Sequence, residues 1–157
     1  MIKILFMDVD GTLTDGCINI SENGEMYKSF NVKDGYGIHN ILKGHNILSC
    51  IITGRKSVIV ENRVKELQVD YLFQGISDKK KCISGFIEEN KFSINEVAYI
   101  GDDLNDFECL KLVNRGGGIT GCPSDAVSGI LDECKYVCRL TGGNGAVREF
   151  IDYLVTL

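Results

Sequence analysis

The 157 residues predict a single parallel α/β sheet with helices on both faces and a β-hairpin after its first strand. Three observations carry this. Short β-rich apolar runs alternate with stretches of helical periodicity, the pattern of βαβ units. The alternation is broken once, by a hairpin signal inside residues 16–30. No linker, low-complexity segment or internal repeat divides the chain, so residues 1–157 read as one Rossmann-like domain.

The first strand is expected in IKILFMD (2–8), a mostly apolar run that ends on an acid. GCINISENGEMYKSF (16–30) follows as strand, turn and strand, with Asn23-Gly24 as the turn signal between β-capable flanks. One helix then fits before the second sheet strand, NILSCIIT (46–53). In 56–68, Val60, Val64 and Leu67 fall at i, i+4 and i+7, which predicts a helix. VDYLF (69–73) is a short third strand. Ile83, Phe86 and Ile87 mark a helix over 79–91. EVAYIGD (96–102) is the fourth strand, LNDFECLKL a helix after it, and GGGIT (116–120) a fifth strand. Pro123 is the sole proline and suits the start of a helix over DAVSGIL. Val147, Phe150, Ile151 and Leu154 make one stripe on a last helix over 145–156.

Composition narrows the function. A net charge of −5 argues against a nucleic-acid surface. No apolar stretch approaches the ~20 residues that would span a membrane. The N-terminal MIKILFMDVD carries acids within its apolar segment and lacks a small-residue cleavage site, so it does not read as a signal peptide. The seven cysteines are odd in number and form no C-x-x-C, and the nearest pair, in CKYVC, has no second pair beside it. That spacing argues against zinc and suits free thiols in a reducing cytoplasm.

In an open parallel sheet, ligands bind beyond the carboxyl ends of the strands. Asp8 and Asp10 follow the first strand there, Thr53, Gly54 and Arg55 the second, and Asp102, Asp103 and Asp106 the fourth. DKKK, with Lys79, Lys80 and Lys81, opens the helix between the third and fourth. Asp8, Asp10 and Asp102 at one sheet edge repel one another, and a hard cation with oxygen ligands removes the conflict; Mg²⁺ suits a few carboxylates plus a phosphate. A threonine hydroxyl, the N–H groups of the turn after it and a lysine can bind a phosphoryl group. Phosphate monoesters resist hydrolysis so strongly that more than ~20 kcal/mol of barrier has to be removed. A nucleophile (Asp8), an acid two residues on (Asp10), a metal shared by Asp8 and Asp102 and a cationic clamp together suit that task.

DVDGT, ITGR, a lysine before a helix and GDDLND, in this order, resemble the four motifs of the haloacid dehalogenase (HAD) superfamily of phosphatases, and the resemblance covers the whole chain. It implies a HAD-like fold, Asp8 as nucleophile, Asp10 as general acid/base and Thr53 as a phosphate ligand. It also implies that Lys79, matched through QGISDK, contacts phosphate and nucleophile. Mg²⁺ would be held by Asp8, Asp102 and the main-chain carbonyl of Asp10, with Asp103 and Asp106 supporting the metal waters and the lysine. Arg55, beside the phosphate-binding turn, suits either a substrate carboxylate or a surface ion pair.

DGTLTDG, FNVKDGYGI (30–38), TGRKS, YLFQGISDK, YIGDDLND and GGNGAVREF are similar to the phosphatases of 3-deoxy-D-manno-octulosonate 8-phosphate (KDO 8-phosphate) and their relatives acting on nine-carbon sialic-type 9-phosphates. This resemblance implies a homo-oligomer, a tetramer, in which the hairpin packs on a neighbour and the last Gly-rich segment, with Arg148, reaches towards an adjacent site. Spacing agrees with an uncapped domain. Residues 11–52, 42 of them, separate Asp10 from Thr53, and residues 80–101, 22 of them, separate Lys79 from Asp102. The hairpin and one helix use up the first interval, and no cap fits either. TGR, rather than a turn ending in an acid, favours the eight-carbon sugar-acid phosphate. A phospho-receiver module is the rival from another class, but it normally lacks an acid two residues after its nucleophile. A catalytically weak oligomerisation domain is a further rival, set against intact motifs.

Overall fold

The computed structural model describes residues 1–157. Its centre is a six-stranded sheet in the order β5-β4-β1-β6-β7-β8, parallel throughout. The strands are β1 (Ile4–Met7), β4 (Leu48–Ile52), β5 (Tyr71–Phe73), β6 (Val97–Ile100), β7 (Ile119–Cys122) and β8 (Tyr136–Val137). β2 (Asn19–Ser21) and β3 (Gly24–Tyr27) pair antiparallel as a separate hairpin. Its two-residue loop is Glu22-Asn23, and Gly24 opens β3 at a φ of +107°, which a glycine adopts without strain. β8 was not foreseen: it has two residues, too few for periodicity to show, and it lies inside the CKYVC segment.

Side-chain alternation along the strands splits the core in two. Leu5, Met7, Ile51, Ala98 and Ile100 point to one face. There they meet α2 (Val58–Leu67), α6 (Ala146–Leu154) and the segment that starts as α1 (Val32–Tyr36) and widens into a π-helical turn over Gly37–Leu42. Ile4, Phe6, Cys50, Ile52 and Tyr99 point to the other face, under α3 (Lys79–Glu89), α4 (Phe107–Arg115) and α5 (Ser128–Glu133). The stripes expected on α2, α3 and α6 are the buried faces of those helices. Each large side chain taken out of water this way contributes about 1.5–3 kcal/mol.

Pro123 does not start a helix. It opens a turn, and α5 begins only at Ser128. The intervening turn is engaged elsewhere: the Ser124 N–H donates to the Leu140 carbonyl, and Asp125 accepts from the Gly142 N–H at 2.9 Å. All seven cysteines are free thiols. No helix is long and apolar enough to cross a membrane. Between Asp10 and Thr53 the chain forms only the hairpin, α1 with its π turn, and β4. Between Lys79 and Asp102 it forms α3, one 3₁₀ turn and β6.

Candidate active site

Strand order changes direction at β1, which pairs with β4 on one side and β6 on the other. A crevice opens at the carboxyl ends of strands at such a switch point. The β1 register matches Met7 to Ile51 and to Ile100, so Asp8 emerges level with the ends of both neighbours. Thr53 leaves β4 and Asp102 leaves β6 at that edge, and Lys79 arrives on the first turn of α3. The Asp78 side chain accepts from the Lys81 N–H and fixes that helix start.

Lys79 is almost completely buried, which a lysine tolerates only when paired. Its Nζ donates to Asp8 Oδ1 at 2.8 Å and to Asp106 Oδ1 at 2.7 Å. Asp106 has no exposed surface and every oxygen is engaged: Oδ1 also accepts from Tyr99 OH at 2.6 Å, and Oδ2 from the N–H groups of Asp102 and Asp103. Asp106 therefore orients the lysine and the loop carrying Asp102. Asp103 is exposed and its Oδ1 accepts from the Leu104 N–H.

Carboxylate oxygens of Asp8, Asp102 and Asp106 lie within 4.8 Å of one another. With Asp106 committed, Asp8 and Asp102 are the ones with coordination capacity left. Asp102 Oδ1 accepts from Thr12 Oγ1 at 2.8 Å, leaving Oδ2 over Gly11. A Cβ at Gly11 would overlap that oxygen, and the residue's φ of +93° disfavours one in any case. One lysine faces three carboxylates, and the acidity of Asp8 and Asp102 is weakened. Burial, reinforced by Asp106, pushes the Asp8 carboxyl far above the usual range, against the pull of Lys79. Burial also raises Asp102 to about 6, although the Thr12 bond opposes it. Burial disfavours the Lys79 charge, but Asp8 and Asp106 outweigh it and raise that group. An all-oxygen donor set with surplus charge fits a hard divalent cation such as Mg²⁺.

Asp10 lies on the outer side of this cluster, with the hairpin. Lys28 Nζ donates to Asp10 Oδ1 at 2.5 Å and pairs with Glu25 Oε1 at 3.0 Å. Burial works against the Lys28 charge, but these two bonds raise its pKa nonetheless. Glu25 in turn accepts from Ser57 Oγ, the N-cap of α2 just after the TGR turn. Arg55 is half exposed, with its Nε 3.9 Å from Asp10 Oδ2. Thr53 is buried at the end of β4. Gly54 follows it, and the Arg55 N–H donates weakly to Thr53 Oγ1 at 3.4 Å.

Asp8, Asp10, Thr53, Gly54, Arg55, Lys79, Asp102, Asp103 and Asp106 thus share one end of the sheet. Arg148 does not join them within the chain. Its Nε pairs with Asp152 one turn along α6, and its guanidinium lies 5.5 Å from the Tyr36 ring. The Gly-rich segment makes its contacts within the chain on the loop after β1. Gly142 and Gly143 pack on residues Gly11–Asp15 of their own chain, and the Gly143 N–H donates to the Thr12 carbonyl at 3.1 Å. Only residues without a Cβ allow that approach. Lys28, Glu25, Ser57, Thr12 and Tyr99 were missed as parts of this edge. Lys28 gives no local signal, because it follows Met26 and Tyr27, both exposed.

No family model matches the chain. It is 42% identical over 154 residues to the 3-deoxy-D-manno-octulosonate 8-phosphate phosphatase KdsC of Escherichia coli, covering 98% of this chain and 79% of that protein. The cobalt-bound deoxy-D-mannose-octulosonate 8-phosphate phosphatase of Haemophilus influenzae matches with a TM-score of 0.91 at 32% identity, over 99% of this chain and 88% of that one. The 3-deoxy-D-manno-octulosonate 8-phosphate phosphatase of Moraxella catarrhalis, solved with a magnesium ion, a phosphate ion and KDO, also gives 0.91, at 37% identity over 99% and 86% of the two chains.

Proposed function

The chain belongs to the KDO-8-phosphate phosphatases of the HAD superfamily, and from that premise we propose that it hydrolyses KDO 8-phosphate to KDO and inorganic phosphate through an aspartyl-phosphate on Asp8. The observation that carries the mechanism is the buried Asp8 carboxylate, held by Lys79 at 2.8 Å inside the cluster it forms with Asp102 and Asp106. Lys79 fixes one Asp8 oxygen and so orients the nucleophile towards phosphorus. Thr53, Gly54 and Lys79 bind the phosphoryl oxygens. Asp10 gives a proton to the departing sugar oxygen and then takes one from the water that frees Asp8. Asp8, Asp102 and the Asp10 main-chain carbonyl would hold Mg²⁺, which when bound offsets the negative charge of carboxylates and phosphate. Asp106 and Asp103 support this set, and Arg55 faces the carboxylate of the sugar acid.

The working enzyme is a homo-oligomer, a tetramer by family resemblance, with Arg148 serving an adjacent site. Supporting this, the hairpin exposes Ile18, Ile20, Met26 and Tyr27 on a domain with no cap to close its own crevice. Light scattering is expected to give a multiple of the 17.3 kDa chain mass. The decisive assay is phosphate release from KDO 8-phosphate and from a nine-carbon 9-phosphate, with Mg²⁺ or EDTA. Higher kcat/KM on the eight-carbon substrate, loss of turnover in EDTA, and a drop of about 10⁴-fold or more in Asp8→Asn are expected. Preference for the nine-carbon ester would reassign the substrate, and near wild-type turnover in Asp8→Asn would end the mechanism.

A further inference from the structure

We propose that Lys28 is the positioning residue for proton transfer by Asp10: the hairpin folds back on its own chain and holds Oδ1 of that carboxylate, so that Oδ2 is the oxygen presented to the leaving group. The inference rests on the acid/base role of Asp10 given above.

Three observations meet at this lysine. The first is burial. The Lys28 side chain is 3% exposed, although the residue as a whole is half-buried, and Met26 and Tyr27 just before it are exposed. A hairpin that left its apolar residues in water would not bury an ammonium without strong partners. The second is the partners. Asp10 Oδ1 and Glu25 Oε1 accept from Nζ at 2.5 and 3.0 Å, so Lys28 is held from both sides. The third is what stands behind Glu25. Its other oxygen accepts from Ser57 Oγ, which also caps α2 through the Val60 N–H. A continuous polar chain therefore runs from the start of α2 through Glu25 and Lys28 to Asp10. It links the phosphate-binding turn after β4 to the loop after β1.

Asp10 needs such a clamp more than Asp8 does. Asp8 is locked from the sheet side by Lys79, which Asp106 anchors. The Asp10 side chain is 21% exposed, and its only other side-chain neighbour within ion-pair range is Arg55, at 3.9 Å and itself half exposed. A carboxylate so placed would turn freely about its χ angles. Lys28 removes that freedom at Oδ1 and leaves Oδ2 to carry the transferable proton. That proton passes to the alkoxide oxygen as its bond to phosphorus breaks and the bond from Asp8 forms. In the second half, Asp10 takes a proton from the attacking water as the Asp8–phosphorus bond breaks. Lys28 keeps its own three protons throughout.

The test compares leaving groups. Release of an alkyl oxygen from KDO 8-phosphate needs the proton, whereas the p-nitrophenolate of p-nitrophenyl phosphate leaves without one. The ratio kcat/KM reports steps through the first bond cleavage only. Asp10→Asn is the control, expected to lose about 10²-fold or more on KDO 8-phosphate and far less on the aryl ester. Lys28→Met is expected to follow it with a loss of about 10- to 100-fold on the sugar phosphate, the scale of a misplaced catalytic group, and less than about 3-fold on the aryl ester. Lys28→Arg is expected to restore most of the activity. The double variant Glu25→Gln/Lys28→Met keeps the charge of the cluster balanced and is expected to show the same split, which separates positioning from misfolding. Equal losses of Lys28→Met on both substrates, or none on either, overturn the inference while Asp10→Asn shows its split. If Asp10→Asn shows no split, the acid role of Asp10 falls, and the inference with it.

Discussion

The two halves of the catalytic edge are built differently. On the inner side, Asp8, Lys79, Asp106 and Asp102 hang from β1, α3 and the β6–α4 loop; Asp8, Lys79 and Asp106 are buried, with Tyr99 beneath them, and Asp102 is partly so. On the outer side, Asp10, Lys28, Glu25 and Arg55 depend on a two-stranded hairpin that no other strand supports. The inner half borrows its rigidity from the sheet. The outer half has to make its own from ion pairs. A nucleophile that must meet phosphorus in line gains from the first arrangement. An acid/base that must serve an incoming sugar and then a water can work in the second, provided something fixes the carboxylate.

Removing one lysine from each half should expose the contrast most strongly. Lys79→Met leaves buried carboxylates unpaired, so unfolding in urea with EDTA present is expected to show a loss of about 3–5 kcal/mol. Turnover should fall by about 10²–10³-fold or more, because a preorganised charge at the phosphoryl group is gone. Lys28→Met, on the half-open side, should cost far less stability. Comparable losses of stability in the two variants would show the halves to be equally dependent on their lysines.

The acidity of the inner half gives a second, smaller test. Metal-free Asp8 and Asp102 have folded pKa values above the unfolded value of about 3.9. The folded state therefore binds more protons than the unfolded one, and stability falls as pH rises through that window, up to about 6 for Asp102 and further for Asp8. A divalent cation needs both groups ionised, so its stabilising effect runs the other way. Saturating Mg²⁺ is expected to raise Tm by about 5 °C or more at pH 8 and by less at pH 6, read by thermal denaturation against EDTA. A gain independent of pH would place the cation away from these carboxylates.

The smallest expected change in stability belongs to a residue outside both halves. Arg148→Ala removes an exposed i, i+4 pair with Asp152, worth about 0.5 kcal/mol or less. If Arg148 serves an adjacent site in the oligomer, KM for KDO 8-phosphate should nonetheless rise by about tenfold, the value of one hydrogen bond to a charged group. An unchanged KM would confine the arginine to its own helix.

Most of the inner half was legible before the structure. The apolar runs ending in Asp8, Thr53 and Asp102, and a lysine at a helix start, are local patterns, and a parallel sheet brings strand ends to one edge whatever lies between. Of the outer half, Asp10 and Arg55 were legible and their clamp was not. Lys28 and Glu25 look like ordinary hairpin polar residues, and only the docking of the hairpin against Ser57 and Asp10 makes them a clamp. Tyr99 was read correctly as a strand residue, but the reach of its hydroxyl to Asp106 depends on how β6 and α4 pack. The close packing of Gly142 and Gly143 on the loop after β1 was likewise visible only in the structure, because it joins residues far apart in the chain.

By itself the sequence determined five of the six sheet strands, the two apolar faces and the chemistry gathered at the carboxyl edge, because each follows from periodicity or strand polarity. Only the tertiary structure decided which oxygen of each aspartate is already taken and which lysines are buried. Those depend on hydrogen bonds and ion pairs between residues far apart in the chain, whose strength comes from the water excluded around them.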